Sequence, residues 1–275
     1  MKKVRILYIS QEITPYLPES NMSHISRHLP QGIQEKGNEI RTFMPRFGCI
    51  NERRHQLHEV IRLSGMNLII NENDHPLIIK VASIQPARMQ VYFIDNEDFF
   101  HRKAVLHTEK GKMYADNDER TVFFCRGVLE TVKKLGWAPD IIHCHGWMTS
   151  LVPLYLRTAF KDDPLFSSSK VIYSLYDNGY EKELSKDFVK KSVMEGISEE
   201  DIVAYGDSSF EGINKAAIQW SDGVIVGTAN VSENIIGHAH KHDKPVLPYQ
   251  NPEDFVDAYA EFYDQILAED AVLAQ

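Results

Sequence analysis

The sequence predicts an α/β fold, a Rossmann-like parallel sheet with helices on both faces. Three observations carry that expectation. Short apolar runs of strand length alternate with segments in helical period, the rhythm of βαβ units. Glycines stand just past the helical segments, at Gly37 and Gly136, where a left-handed cap is wanted. The chain has 275 residues, 43% hydrophobic and 25% charged, enough for one large doubly wound domain with a real core.

Taken in order, Val4 to Ile9 is the first strand, and Ser10 to Asn21 is the loop behind it. Met22, Ile25, Leu29 and Ile33 recur at helical spacing, and Glu39 to Met44 is the next strand, ending at the turn Pro45-Arg46-Phe47-Gly48. Between about 60 and 95 the runs Val60–Leu63, Leu68–Ile70, Leu77–Val81 and Val91–Ile94 are separated by polar turns and read as a β meander inserted into the domain. The βα rhythm returns with a helix over Thr121–Leu135, a short buried strand Asp140–His143 and a helix over Ser150–Phe160, with Pro153 tolerated near its start. Strands Lys170–Leu175 and Gly223–Val226 flank a helix over Ile213–Trp220. About seven strands are expected. Gly237 to Asn251 reads as a connector, its His238, His240 and His242 a solvated run or a fortuitous metal patch. Pro252 then opens a helix with Phe255, Tyr259, Phe262, Tyr263 and Ile266 on one face, which must dock on the domain.

The formal net charge is −9 with lysine and arginine scattered among acids. No basic stripe exists to release counterions from a phosphate backbone, which excludes nucleic acid as a partner. No run approaches the roughly 18 to 20 apolar residues that span a bilayer. The apolar start is interrupted by Arg5 and followed by Gln11 and Glu12, unlike a secretory signal. Three widely spaced cysteines, Cys49, Cys125 and Cys144, suit reduced thiols in a cytoplasmic protein.

Four segments carry a resemblance. They are Ile6-Leu-Tyr-Ile-Ser-Gln-Glu12-Ile-Thr-Pro15 continuing to Pro45-Arg-Phe-Gly48; Tyr114-Ala-Asp116-Asn117-Asp-Glu-Arg120; Pro139-Asp-Ile-Ile-His143-Cys-His145-Gly-Trp147; and Gly212-Ile213 to Trp220-Ser-Asp222-Gly-Val-Ile-Val-Gly-Thr228. In this order over about residues 1 to 235 they resemble the glycogen/starch synthase family. The resemblance implies one half of a two-domain GT-B architecture. It also implies a glycosyltransferase reaction, transfer of glucose from ADP-glucose to an α-1,4-glucan. The expected organisation is a domain over 1–236, a connector over 237–251 and a helix over 252–275 that packs back on the domain. By the resemblance this is the last helix of such enzymes, kept although the second domain is not.

The chain departs from the family where the family does its chemistry. The family's first loop reads K-x-G-G-L, a lysine for the donor phosphates and two glycines for close approach; here Pro18, Glu19, Ser20, Asn21 and Met22 stand in those places. The acid beside the lost cation repels a diphosphate. Met148 replaces a histidine that approaches the transferred sugar, and a thioether cannot donate that hydrogen bond. Tyr176 and Asp177 replace a His-Asn pair. The chain is therefore expected to be catalytically weak or inactive alone, since electrostatic stabilisation of the departing diphosphate contributes most to catalysis in such chemistry. The alternative is a non-catalytic subunit that binds a glucan or a protein partner, or a homodimer. No cofactor is expected.

The residues expected to meet substrate are Glu12, Ser20, Asn21, His143, His145, Trp147, Asp177 and Tyr180. Glu12 could touch a ligand or bond loop amides. His143 and His145 share one strand face with Cys144 on the other; they read as a sugar-facing strand end, as packing, or as a metal pair that lacks the further ligands zinc requires. Trp147 and Tyr180 could stack on glucose or be buried. Asp116, Asn117 and Arg120 read as structural, with Asn117 or Asp118 near the cap of the helix that follows. Ser198 to Asp201 reads as a solvated helix start.

Overall fold

The computed structural model describes residues 3–273. Its elements are β1 (Arg5–Ser10), α1 (Asn21–Glu35), β2 (Glu39–Pro45), α2 (Glu52–His55), β3 (His58–Glu59), β4 (Met66–Ile70), β5 (Asn73–Ile84), β6 (Met89–Asp95), α3 (Glu97–Phe100) and α4 (Asn117–Leu135). They continue with β7 (Ile141–His145), α5 (Leu151–Arg157), β8 (Lys170–Leu175), α6 (Phe188–Ser192), α7 (Glu199–Ile202), α8 (Phe210–Trp220), β9 (Gly223–Val226), α9 (Glu233–Lys241), β10 (Val246–Leu247) and α10 (Phe255–Leu273).

The sheet runs β10-β9-β8-β7-β1-β2-β6-β5-β3, with β4 paired to β5. From β10 to β6 every pairing is parallel, and β5 returns antiparallel to β6. This corrects the reading of residues 60–95. Val91–Ile94 lies in β6, which pairs with β2 as a strand of the main parallel sheet. Only β3 to β5 form the antiparallel addition. Val60–Leu63 is a turn, not a strand: Leu63 turns inward and Ile61 stands 83% exposed.

Strand alternation splits the core in two. Leu7, Ile9, Ile142, Cys144 and Tyr173 face α4, α5 and α8. Ile6, Tyr8, Ile141, Ile172 and Ile225 face the other way, against Met22, Ile25, Leu29 and Ile33 of α1 and the apolar face of α10. All five α10 residues picked out from spacing are buried, none more than 5% exposed. Each contributes about 1.5–3 kcal/mol of apolar burial, so α10 belongs to the core. It lies so close that a Cβ on Gly223 of β9 would come within 2.8 Å of Ile266.

One further expectation is corrected and another is made more specific. Residues 237–251 are not all connector: α9 runs through His238 and His240, and β10 adds a sheet strand. Ile235 and Ala239 are its buried residues, and the polar histidines hide so sparse an apolar stripe. At α4 the cap residue is Asp116, without a side-chain cap bond. Asn117 instead donates through Nδ2 to the Leu106 carbonyl at 3.0 Å, anchoring the preceding loop.

Candidate functional site

In a doubly wound sheet the ligand-facing rim is the carboxyl ends of the strands. Here that rim is formed by the loops after β1, β7, β8 and β9. The loop from β1 to α1 is held by its own side chains. Ser20 is the α1 cap: its Oγ accepts from the Ser23 amide at 3.0 Å, and Ser23 Oγ accepts from the Ser20 amide at 2.7 Å, a closed capping box. Ser20 Oγ also donates to Glu12 Oε2 at 2.8 Å. Burial pushes the Glu12 carboxyl above its ordinary value, partly offset by that hydrogen bond. Glu19 reaches His24 Nδ1 at 3.2 Å.

Two cavities flank this loop, and Glu19 and Ser20 belong to both. The first, about 360 Å³, lies between Asn21 and His24 of α1 and Tyr249, Gln250 and Phe255 of the carboxyl-terminal segment. The second, about 400 Å³, lies between Glu12, Pro18 and the loop Ala104–Thr108. Among the described residues no lysine or arginine lines either one. The two cavities thus offer carboxylate, hydroxyl, amide and aromatic groups, which can hydrogen-bond to and stack on a polyhydroxyl ligand.

The inner strand ends are placed differently. His143 and His145 are wholly buried, their ring centroids 3.9 Å apart. His143 meets Tyr263 Oη at Nδ1 (2.6 Å) and Ser174 Oγ at Nε2 (2.7 Å); His145 Nδ1 meets Tyr176 Oη at 2.8 Å. Burial drives both imidazoles down, His143 well below the ordinary range and His145 to about 3, so both are neutral. Tyr176 closes the floor above them: a Cβ on Gly227 would lie 2.6 Å from its ring. Met148 is buried, its amide donating to Gln11 Oε1 at 3.3 Å. Trp147 is 1% exposed and meets Tyr180 edge-on at 4.9 Å; Tyr180, half-buried, donates to the Ser208 carbonyl. Asp177 is exposed and accepts from Asn230 Nδ2 at 3.3 Å.

Of the eight residues singled out from sequence, Glu12, Ser20 and Asn21 therefore line the cavities, and Asp177 stands at the surface. His143 and His145 lie beneath Tyr176 and Tyr263, while Trp147 is buried in the core on the other face of the sheet and Tyr180 buttresses it. Arg120 is buried with its guanidinium 5.2 to 5.5 Å from the rings of Phe47, Phe100 and Tyr114 and Nη1 on Asn117 Oδ1, a structural use. Sequence reasoning missed His24, Tyr249, Gln250 and the loop Ala104–Thr108. Tyr249, an aromatic between Pro248 and Pro252, was the one local signal. Among the described residues no group of three or more His, Cys, Asp or Glu is arranged to hold a metal ion, and no helix is long and apolar enough to cross a membrane.

Comparison with known proteins places the fold and the family. Residues 5–244 match the family model of the starch synthase catalytic domain. Glycogen synthase of Chlorobium luteolum is 37% identical over 177 residues, 64% of this chain and 36% of that protein. The Chlorobium phaeovibrioides glycogen synthase is 38% identical over 183 residues, 65% of this chain and 37% of that one. The chain thus spans about a third of the length of these relatives. Its fold is shared with the catalytic domain of starch synthase IV from Arabidopsis thaliana, solved bound to ADP and acarbose, at a TM-score of 0.72 and 19% identity, covering 91% of this chain and 52% of that one. With its parallel sheet, its motif order and a family match over most of its length, the chain belongs to the starch synthase catalytic domain family, to whose amino-terminal domain it corresponds.

Proposed function

We propose that this chain handles the glucan side of the family's reaction, binding an α-1,4-glucan at the rim, and that on its own it turns over ADP-glucose weakly or not at all. The observation that carries this reading is the loop before α1. Where the family places a lysine and two glycines, this loop presents Pro18, Glu19, Ser20 and Asn21, its helix amides already capped and Glu12 and Glu19 facing the cavities. Two carboxylates beside a phosphate site disfavour a diphosphate, whereas Ser20, Asn21, Gln250 and Tyr249 offer hydrogen bonds and a ring face to a sugar.

α10 is proposed to be the counterpart of the helix with which two-domain family members return to the first domain, a reading supported by its burial across α1 and the sheet. Work in the cytoplasm is proposed with it, supported by three unpaired cysteines.

The test has two arms: ADP release from ADP-glucose with a malto-oligosaccharide primer, and calorimetric titration of the oligosaccharide alone. Binding that weakens in Asn21→Ala and Tyr249→Ala, with ADP release at background, is the expected pair of results. Primer-dependent turnover comparable to a full-length synthase would refute the reading.

A further inference from the structure

A second charge pattern adjoins the acidic rim. The loop between α3 and α4 closes into a small hairpin: His107 bridges Met113, the Thr108 amide donates to the Lys112 carbonyl at 2.7 Å, and the Tyr114 amide donates to the Leu106 carbonyl at 3.0 Å. One wall of this hairpin, Ala104–Thr108, lines the 400 Å³ cavity that holds Glu12 and Ser20. Its other side lines a cavity of about 760 Å³ with Arg102, Lys103, Lys110, Lys112 and Tyr114, against a single acid, Glu109. Ala104 and Thr108 belong to both cavities, so the two adjoin.

The cations are not equivalent. Arg102 is paired with Asp116 and lies over the Tyr114 ring at 4.2 Å. Lys103, Lys110 and Lys112 are exposed, and among the described residues none has a carboxylate within ion-pair distance. In a chain of net charge −9, three unpaired lysines around one cavity are a local reversal of sign. Their field attracts an anion and weakens within a Debye length, about 10 Å at 0.1 M salt.

We propose that the two adjoining cavities together bind a small phosphorylated sugar. Its ring lies at the Glu12–Ser20 end and its phosphoryl group among Lys103, Lys110 and Lys112. The polarity of the groove sets the orientation. Glu12 and Glu19 repel the phosphoryl group and accept from sugar hydroxyls, while the lysines offer charge-assisted donors to phosphoryl oxygens. A nucleotide is disfavoured because Tyr114, the aromatic ring at the basic end, is already covered by Arg102. The proposed glucan site shares Glu19 and Ser20 with this one but draws its other groups, Asn21, Tyr249 and Gln250, from the cavity on the far side of the loop.

The experiment is calorimetric titration of the whole chain with glucose 1-phosphate, glucose 6-phosphate, inorganic phosphate and ADP-glucose. It is run for the native sequence, for the triple variant K103A/K110A/K112A and for Glu12→Gln. The lysines are exposed and the hairpin is held by backbone bonds, so the triple variant keeps its fold; circular dichroism verifies it. The expected result is that a glucose phosphate binds tighter than inorganic phosphate. The triple variant should lose about tenfold or more in affinity, and raising salt should weaken the native chain but not the variant. Glu12→Gln should narrow the gap between glucose phosphate and inorganic phosphate. Three results would overturn the proposal: no glucose phosphate binding, binding equal to that of inorganic phosphate or unaffected by the lysines, or tighter binding of ADP-glucose through the same lysines. Loss of malto-oligosaccharide binding in Tyr249→Ala, with glucose phosphate binding intact, would separate the two sites.

Discussion

Replacing His145 with glutamine should flatten the acid side of the stability profile by about one proton. In the folded chain burial holds His145 near a pKa of about 3, while in the unfolded chain an imidazole titrates near its ordinary value of about 6.5. Below that value the unfolded state takes up a proton that the folded state refuses, so stability falls with pH from about 6.5 toward 3 and is level above it. One such group removes about 1.4 kcal/mol between pH 8 and pH 5.5, with a slope near pH 5.5 of about 1.2 kcal/mol per pH unit. His143, driven down by the same burial, contributes a second increment in the same direction. Urea denaturation followed by tryptophan fluorescence at steps from pH 8 to 5.5 measures this, Trp147 reporting from the residues beside the pair. The glutamine variant should be less stable at pH 8, having lost the imidazole that meets Tyr176. Its deficit should shrink by about 1.4 kcal/mol at pH 5.5. Native and variant curves that run parallel across the range would refute the claim that His145 is buried and neutral.

Three other expectations follow from packing and charge. Phe262→Ala removes a buried ring of α10 packed on Gly223 and should cost about 3–5 kcal/mol in urea denaturation, as large-to-small core changes do; a cost under about 1 kcal/mol would mean that α10 is not part of the domain core. Asp95, 1% exposed, lies 2.9 Å from Lys80 Nζ, outside hydrogen-bond geometry, with Glu52 on the same lysine at 2.7 Å. Asp95→Ala leaves Lys80 half of its compensation and should destabilise by about 3 kcal/mol in the same assay. Gly48→Ala would drive a methyl to 2.4 Å from the backbone carbonyl oxygens of His101 and Arg102, and a drop in Tm corresponding to about 1–3 kcal/mol is expected on thermal denaturation.

Much of this architecture is legible in the residues because burial leaves a local trace. β8 and β9 fall on the apolar runs Lys170–Leu175 and Gly223–Val226 residue for residue, and the aromatic face of α10 was set by spacing alone. β6 was recognisable as a strand but not as a member of the parallel sheet. Its partner β2 is chosen by tertiary packing, and the run Val91–Ile94 reads alike in a hairpin or beside β2. α9 was hidden because its stripe is only Ile235 and Ala239 among histidines. At the rim, Glu12, Ser20 and Asn21 were found because they sit in one loop with a recognisable pattern. Their opposing walls, Tyr249 with Gln250 and the Ala104–Thr108 loop, come from remote parts of the chain and carry no motif. His143 and His145 stand at strand ends as a ligand pair would, and only the burial of Tyr176 and Tyr263 above them reveals that they face protein rather than solvent.

The position of α10 has a consequence for the order in which the chain can mature. Tyr263 stands 3.4 Å from Tyr8 across 255 residues of sequence, and β1, the central strand, pairs with β7 only after the whole of β2 to β6 has been made. On a ribosome, where residues emerge at about 5–20 per second, Ile6, Tyr8, Ile141, Ile172 and Ile225 have only Met22, Ile25, Leu29 and Ile33 of α1 against them until residues 255–267 are free to complete the cover. For those seconds the nascent chain presents the kind of surface that chaperones hold and that neighbouring copies aggregate through. That face closes fully only when α10 docks beside α1.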